Sequence, residues 1–329
     1  MQKWFAISIR LLLYGIPNNN HKQFEQNSMS YKMSLYKYVT ATTLDYILNG
    51  SIRFTQPGGF NDPFELALEV FNPNYNEGDR VQLRFDVLSQ EPLIDSYRLE
   101  SNFQHENCND IFSRELISNL NNEIGILCLS KNADSHLMWA HYADEYSGAV
   151  IEFDESHEYF SGLTEVRYEK DRPIIHMDYF LKNETIPISN LCIKSDIWNY
   201  EKEYRLIRSL RDCKKNKAKA KQFDIYTNDI PLDAIKAVTL GERCSLESAR
   251  KIYHRLKDTH VALSLAALAN WKYEFRYEPI KFNEPIKNTP PIISPRTAEI
   301  FVEDKTALGE IARYMIEKHP MSKTTKWRL

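Results

Sequence analysis

The segment Trp198-Asn199-Tyr200-Glu201-Lys202-Glu203-Tyr204-Arg205-Leu206-Ile207 constrains this chain more than any other stretch. Its aromatic and β-branched residues favour a pleated surface, and a strand here predicts Glu201, Glu203 and Arg205 at i, i+2 and i+4 on one face. Two carboxylates held side by side on a rigid strand resist ionising together. That arrangement suits a site that binds a sugar hydroxyl, stabilises positive charge or accepts a proton. The segment therefore reads as a catalytic edge. The structural alternative is a surface strand whose Glu and Arg side chains make weak, screened ion pairs.

The pattern around it predicts a sheet interleaved with short helices. Residues 35–39 read as a strand, Ala41–Leu48 as a helix stopped by Asn49-Gly50, and residues 52–55 as a second strand. Pro57 to Pro63 form an ordered turn cluster in which Asn61 and Asp62 can bond their own backbone, and residues 65–70 are extended. Residues 76–122 are polar and helical in pattern, an insertion before the apolar strand Ile124–Ser130. A short helix at 138–143, strands at 148–153 and 166–168, and a mixed connection at 179–192 lead to the acidic strand. After Arg208, the basic residues Arg211, Lys214, Lys215, Lys217, Lys219 and Lys221 lack apolar periodicity and read as a flexible loop over 208–221. A strand at 235–241, a helix from Ser245 to Lys257 with Ser245 as N-cap and a strand at 273–277 follow. A Pro-rich stretch, 285–295, precedes a helical tail at 307–318. The expected organisation is a poorly ordered extension over 1–33, an α+β domain over 34–280 with a helical insertion, and a linker with a helical C-terminal extension over 281–329.

Composition narrows the classes. The 329 residues suffice for one elaborated domain or two ordinary ones, and 42 basic against 45 acidic residues give a formal charge of -3. No global charge attracts nucleic acid or anionic lipid, so such a partner must meet a local patch. Five scattered cysteines without a CxxC pair fit reduced thiols in the cytoplasm and support neither a disulfide framework nor a zinc site. The apolar N-terminus mimics a signal peptide until Arg10, with no cleavage site after it, and Met1, Met29 and Met33 are alternative starts. No run has the length of a membrane span.

Common catalytic motifs are absent. There is no GxGxxG, P-loop or GxSxG, and His136 and His141 lie at i, i+5 without the Glu of a zincin. The remaining candidates are the Asn61-Asp62-Pro63 loop, Ser130 at a strand end, the Trp139/His141/Tyr142 cluster and the paired Glu residues. His141 reads equally as a packed residue beside Trp139. A nuclease or phosphodiesterase would require clustered metal carboxylates, which the sequence does not offer.

Five ordered signatures carry a resemblance: Leu35-Tyr36-Lys37-Tyr38, Phe60-Asn61-Asp62-Pro63-Phe64-Glu65, Cys128-Leu129-Ser130, Met138-Trp139-Ala140-His141-Tyr142-Ala143 before Gly148, and the acidic segment itself. In this order they resemble a bacterial domain-of-unknown-function family numbered twenty-nine seventy-one. A more distant similarity, in the order of elements and the late Glu-x-Glu, is to ADP-ribosyltransferases of the nucleic-acid-modifying type. That similarity implies a mixed-sheet core, NAD as co-substrate and no metal. It also implies a toxin-like or anti-phage setting, with a neutralising or defence-system partner protein. Carried over, Lys37 or Tyr38 meets the dinucleotide, Ser130 with Tyr142 takes the middle-strand role, Glu203 is catalytic and Glu201 precedes it. Asn61, Trp139, His141 and Arg205 join as donor-binding candidates. Lys37 departs from the usual Arg or His. The alternative is an inactive module of the same fold that binds a nucleotide, nucleic acid or partner protein.

Overall fold

Strand β1 (Ser34–Val39) is apolar on both faces, so its sheet has to be covered on both sides. Leu35 and Val39 are buried in one hydrophobic cluster and Tyr38 in another. The chain, seen in a computed structural model, is described over residues 34–71, 105–176, 186–220, 222–324 and 326–328. After β1 come α1 (Ala41–Leu48), β2 (Ser51–Phe54), β3 (Glu69–Phe71), α2 (His105–Glu123), β4 (Ile124–Ser130), α3 (His136–Tyr142) and β5 (Ala149–Asp154). Four short strands follow, β6 (Thr164–Glu165), β7 (Arg167–Glu169), β8 (Ile174–His176) and β9 (Ile193–Ser195). Then come β10 (Glu203–Ser209), β11 (Lys214–Ala220), β12 (Phe223–Asp229), β13 (Ile235–Leu240), α4 (Leu246–Leu256), β14 (Ala262–Leu268), β15 (Phe275–Lys281) and α5 (Ala307–Glu317).

An eight-stranded mixed sheet, in the order β15-β14-β13-β5-β1-β4-β10-β6, carries this α+β architecture. The pair β13 and β14 is parallel, as its helical crossover α4 requires, and the other pairs are antiparallel. Thr40 caps α1 by accepting a bond from the Thr43 N–H, and Leu44, Ile47 and Leu48 then fall on its buried stripe. Ser245 caps α4 in the same way, and Ala249, Ile252, Tyr253 and Leu256 bury against the main cluster. Burying each Leu or Ile of these stripes contributes roughly 1.5–3 kcal/mol relative to exposure. Helix α5 joins that cluster through Ala312 and Ile316. On the other face α3 sets Met138 and Trp139 against Tyr38, Val150, Ala266 and Phe275. A second core, with Leu66, Leu68, Val70, Leu116, Leu120, Ile126 and Ile207, ties α2 to β3, β4 and β10.

Strands β1 and β4 form the feature that positions the site. Strand β1 pairs with β5 at six positions, but with β4 only at Tyr36 opposite Ser130. Continuing that antiparallel register would set Tyr38 opposite Cys128. The strands part instead, and Ile126 forms a bridge with Thr55 just past β2.

Several expectations need correction. Residues 198–207 are not one strand: Asp196–Glu201 is a 3-10 helix, and Lys202 has a left-handed φ of 47°. The turn closes because the Lys202 N–H donates to the Asn199 carbonyl and Lys202 Nζ to Asn199 Oδ1 at 2.8 Å. Local side-chain bonding to Asn199 thus outweighs the β propensity of Trp198 and Tyr200. The basic run is not a loop either, since Lys214–Ala220 pairs with Phe223–Asp229 as a hairpin. Lys214 and Lys215 each face a carboxylate, Asp229 and Asp224, which lets a lysine-rich segment extend beside its partner. The last strand runs over Phe275–Lys281, later than expected, and of residues 65–70 only Glu69 and Val70 lie in a strand. The expected extension over 1–33 and most of the insertion lie outside the described residues.

Candidate functional site

Five charged side chains meet on the inner side of the parted strands. Strand β10 alternates as expected, so Glu203 and Arg205 share a face, and Arg205 Nε donates to Glu203 Oε1 at 2.8 Å. The left-handed Lys202 turns the chain so that Glu201 reaches the same cluster from the end of its 3-10 helix. A third carboxylate, Glu65, arrives from the turn after Pro63. There the Phe64 N–H donates to Asp62 Oδ1 at 2.9 Å, and Leu66 has a φ of 60° that a branched side chain tolerates poorly. Glu65 Oε1 accepts a bond from Arg205 Nη2. Lys194, on β9, stands at the convergence, with Nζ 2.7 Å from Glu201 Oε2, 3.0 Å from Glu203 Oε2 and 3.7 Å from Glu65 Oε2. Arg205 Nη1 also donates to the Leu191 carbonyl at 2.7 Å, and Tyr142 Oη to Glu201 Oε1 at 2.6 Å. Arg205 is fully buried, and the other four charged residues are at most 8% exposed.

Three carboxylates against two cations leave the cluster one negative charge in excess, and this decides its protonation. Burial opposes ionisation of Glu203, but Arg205 and Lys194 hold its carboxyl at about 2, well below the usual range. Glu65 takes the imbalance: burial, with Glu203 and Glu201 nearby, pushes it up to about 7 despite Arg205 and Lys194. Burial opposes the charge on Lys194, yet the three carboxylates raise its pKa.

A cavity of about 250 Å³ opens at this cluster, between β1 and β4. Tyr36, Tyr38, Tyr142 and Trp198 give it aromatic walls, and Lys37, Arg53, Asn61, Asp62, Cys128 and Ser130 add polar atoms beside the acidic cluster. Because the strands diverge, Tyr36, Lys37 and Tyr38 all reach the cavity although strand neighbours normally point apart. Lys37 Nζ donates across the gap to the Cys128 carbonyl at 3.0 Å, and burial lowers its pKa. Tyr38 Oη donates to the Asn132 carbonyl. Burial pushes the Cys128 thiol well up, which removes it as a nucleophile.

The cavity thus brings together Lys37, Tyr38, Asn61, Ser130, Tyr142, Glu201 and Glu203, while Arg205 lies beside it holding Glu203 and Glu65. Ser130 Oγ is taken up by the Glu201 carbonyl and by the Asn132 N–H at 2.8 Å, so it fixes the acidic turn. Trp139 and His141 are not part of the site. On α3 the i, i+4 pair Met138 and Tyr142 faces the cavity, whereas Trp139 turns into the core and His141 into solvent. Sequence reasoning missed Lys194, Glu65 and Arg53. A lone lysine closing the apolar run Leu191-Cys192-Ile193 was the available signal for the first. Among the described residues no group of three or more His, Cys, Asp or Glu could hold a metal ion, and no helix is long and apolar enough to cross a membrane.

Residues 138–206 match a family described as a protein of unknown function (DUF2971). The matched stretch includes α3, β9, the 3-10 turn and the start of β10, and so carries Tyr142, Lys194, Glu201, Glu203 and Arg205. No curated protein and no solved structure matches the chain.

Proposed function

We propose that the cavity is the donor site of an ADP-ribosyltransferase that cleaves NAD between nicotinamide and ribose and passes ADP-ribose to a macromolecule, nucleic acid being the favoured acceptor. One observation carries the reading: Glu203 is held ionised on the wall of a cavity lined by aromatic rings. Loss of nicotinamide builds oxocarbenium character on the ribose, and a fixed carboxylate stabilises that charge without reorganising. The cavity volume lies below the range of about 300–1,000 Å³ usual for whole ligands, so it suits only part of the dinucleotide. Tyr36, Tyr142 and Trp198 offer faces for the ring. A toxin-like or anti-phage effector in the cytoplasm is the setting that the resemblance to ADP-ribosyltransferases implies.

A specific observation favours a second reading, an inactive binding module. Each carboxylate oxygen of Glu201 and Glu203 already accepts a bond from Tyr142, Lys194 or Arg205. A carboxylate so neutralised stabilises a cation less. Incubating the purified chain with NAD labelled in the adenylate, single-stranded nucleic acid and cell extract separates the two. Released nicotinamide with label on a macromolecule supports the transferase, and intact NAD after prolonged incubation leaves the binding module.

A further inference from the structure

Arg53 is the anomaly of the cavity. It sits on β2 between Ile52 and Phe54, which are buried in the core, and its own side chain lines the cavity instead. A Cβ built on Gly59 would lie 3.9 Å from Arg53 Nη2, which sets the guanidinium beside the Pro57–Gly59 turn. Its Nε is buried with no hydrogen-bond partner, and among the described residues no carboxylate pairs with it. Lys37, the other cation of this wall, uses one donor on the Cys128 carbonyl. An ammonium has three donors and a guanidinium five, so most of their capacity is unused.

Two like charges in one partly buried cavity, without a counter-charge of their own, are costly. Burial lowers the pKa of both groups, and Arg53 lowers that of Lys37 further, although Glu203 partly offsets this for Lys37. The close contacts of the three carboxylates are to Lys194 and Arg205, and none of the three forms an ion pair with Lys37 or Arg53.

We propose that Lys37 and Arg53 form an oxyanion subsite of this cavity, built for the phosphoryl oxygens of a nucleotide diphosphate. The planar guanidinium offers paired N–H groups to two oxygens of one phosphoryl group, and the ammonium contributes a point charge beside it. The subsite rests on the donor-site reading for where the diphosphate of NAD would lie. Binding itself, however, requires no bond to break.

Calorimetric titration of the full chain with inorganic pyrophosphate, ADP and NAD tests the subsite. Wild type should bind ADP, and Arg53→Gln and Lys37→Met should each weaken binding of pyrophosphate and ADP by about tenfold or more, with a shallower salt dependence. Without ligand, Arg53→Gln should melt at or above the wild-type temperature, since the charge it removes has no partner; a structural arginine would give the opposite. If wild type binds none of the three probes, or if both variants bind them as wild type does, the subsite is overturned. Binding that depends on Arg53 and Lys37 without any nicotinamide release supports the subsite and removes only the transferase reading.

Discussion

Replacing Lys194 by Met tests whether the acidic cluster is held by one ammonium. The change keeps length and apolar contacts but removes the charge whose Nζ lies 2.7, 3.0 and 3.7 Å from Glu201, Glu203 and Glu65. At an effective dielectric of 20 each of these contacts is worth about 4–6 kcal/mol of gross attraction, most of it offset by the desolvation of the ammonium. Breaking a buried pair from one side typically leaves a net cost of about 3–5 kcal/mol. For a chain of this size that corresponds to a fall in melting temperature of roughly 4–7 °C. The loss should depend on pH in a fixed direction. Lys194 is one of the charges that hold the Glu65 carboxyl down against burial, so without it that folded-state pKa climbs further above its unfolded value of about 4.3, and the variant binds an extra proton when folded and loses stability as pH climbs from about 4.5 to 8. The ionisation of Lys194 does not confound this window: its folded pKa is raised, so its contribution is complete below about 10.4. Urea unfolding of both proteins at pH 5 and pH 8 reads the difference. Equal losses at the two pH values, or a loss below about 1 kcal/mol at pH 8, would refute the argument.

Glu203→Gln should lower both NAD cleavage and transfer by about 10²-fold or more, whereas Glu201→Gln should impair transfer and spare much of the slow hydrolysis; unchanged turnover in both folded variants would end the transferase reading. The Glu65 carboxyl, raised to about 7, should make wild-type stability decline as pH rises from about 4.5 to 7, and Glu65→Gln should flatten that slope in urea titrations. Replacing Lys214, Lys215, Lys217 and Lys219 of the basic hairpin by Ser should weaken nucleic-acid binding and reduce its salt dependence, and unchanged binding across salt concentrations would remove the hairpin from any such role.

The strands of the large sheet were legible because Ser34–Val39, Ile124–Ser130 and Ala149–Asp154 are dense in apolar residues on both faces. Helix α1 was legible from its apolar spacing and the Asn49-Gly50 stop, and α4 from its Ser245 cap. The acidic pair was also visible, but its geometry was not. Alternation assumes that φ stays extended, and one left-handed residue, Lys202, cancels that assumption. Glu65 was hidden because it sits in a turn, where no period tells inward from outward. Lys194 was hidden because it meets Glu201 and Glu203, 7 and 9 residues further on, only through the 3-10 turn between them, and Arg53 because its lack of a partner depends on strands distant in sequence. The lysine-rich hairpin failed for a different reason: its β structure comes from pairing with Phe223–Asp229 rather than from its own composition.

The parted strands also bear on how the chain can be divided. The bonds that close the cavity join residues 91 apart for Lys37 and Cys128, 140 apart for Arg205 and Glu65, and 71 apart for Ser130 and Glu201. Closing loops of such length sacrifices chain entropy that only a complete set of long-range contacts can repay, and it slows assembly. A fragment confined to residues 138–206 keeps Lys194, Glu201, Glu203 and Arg205 yet lacks Lys37, Arg53 and Glu65. Such a fragment would strand a charged cluster without its walls. Occupancy of the cavity is therefore coupled by mass action to the folding of the whole domain, and a ligand at a hundred times its dissociation constant should raise that stability by about 2.7 kcal/mol.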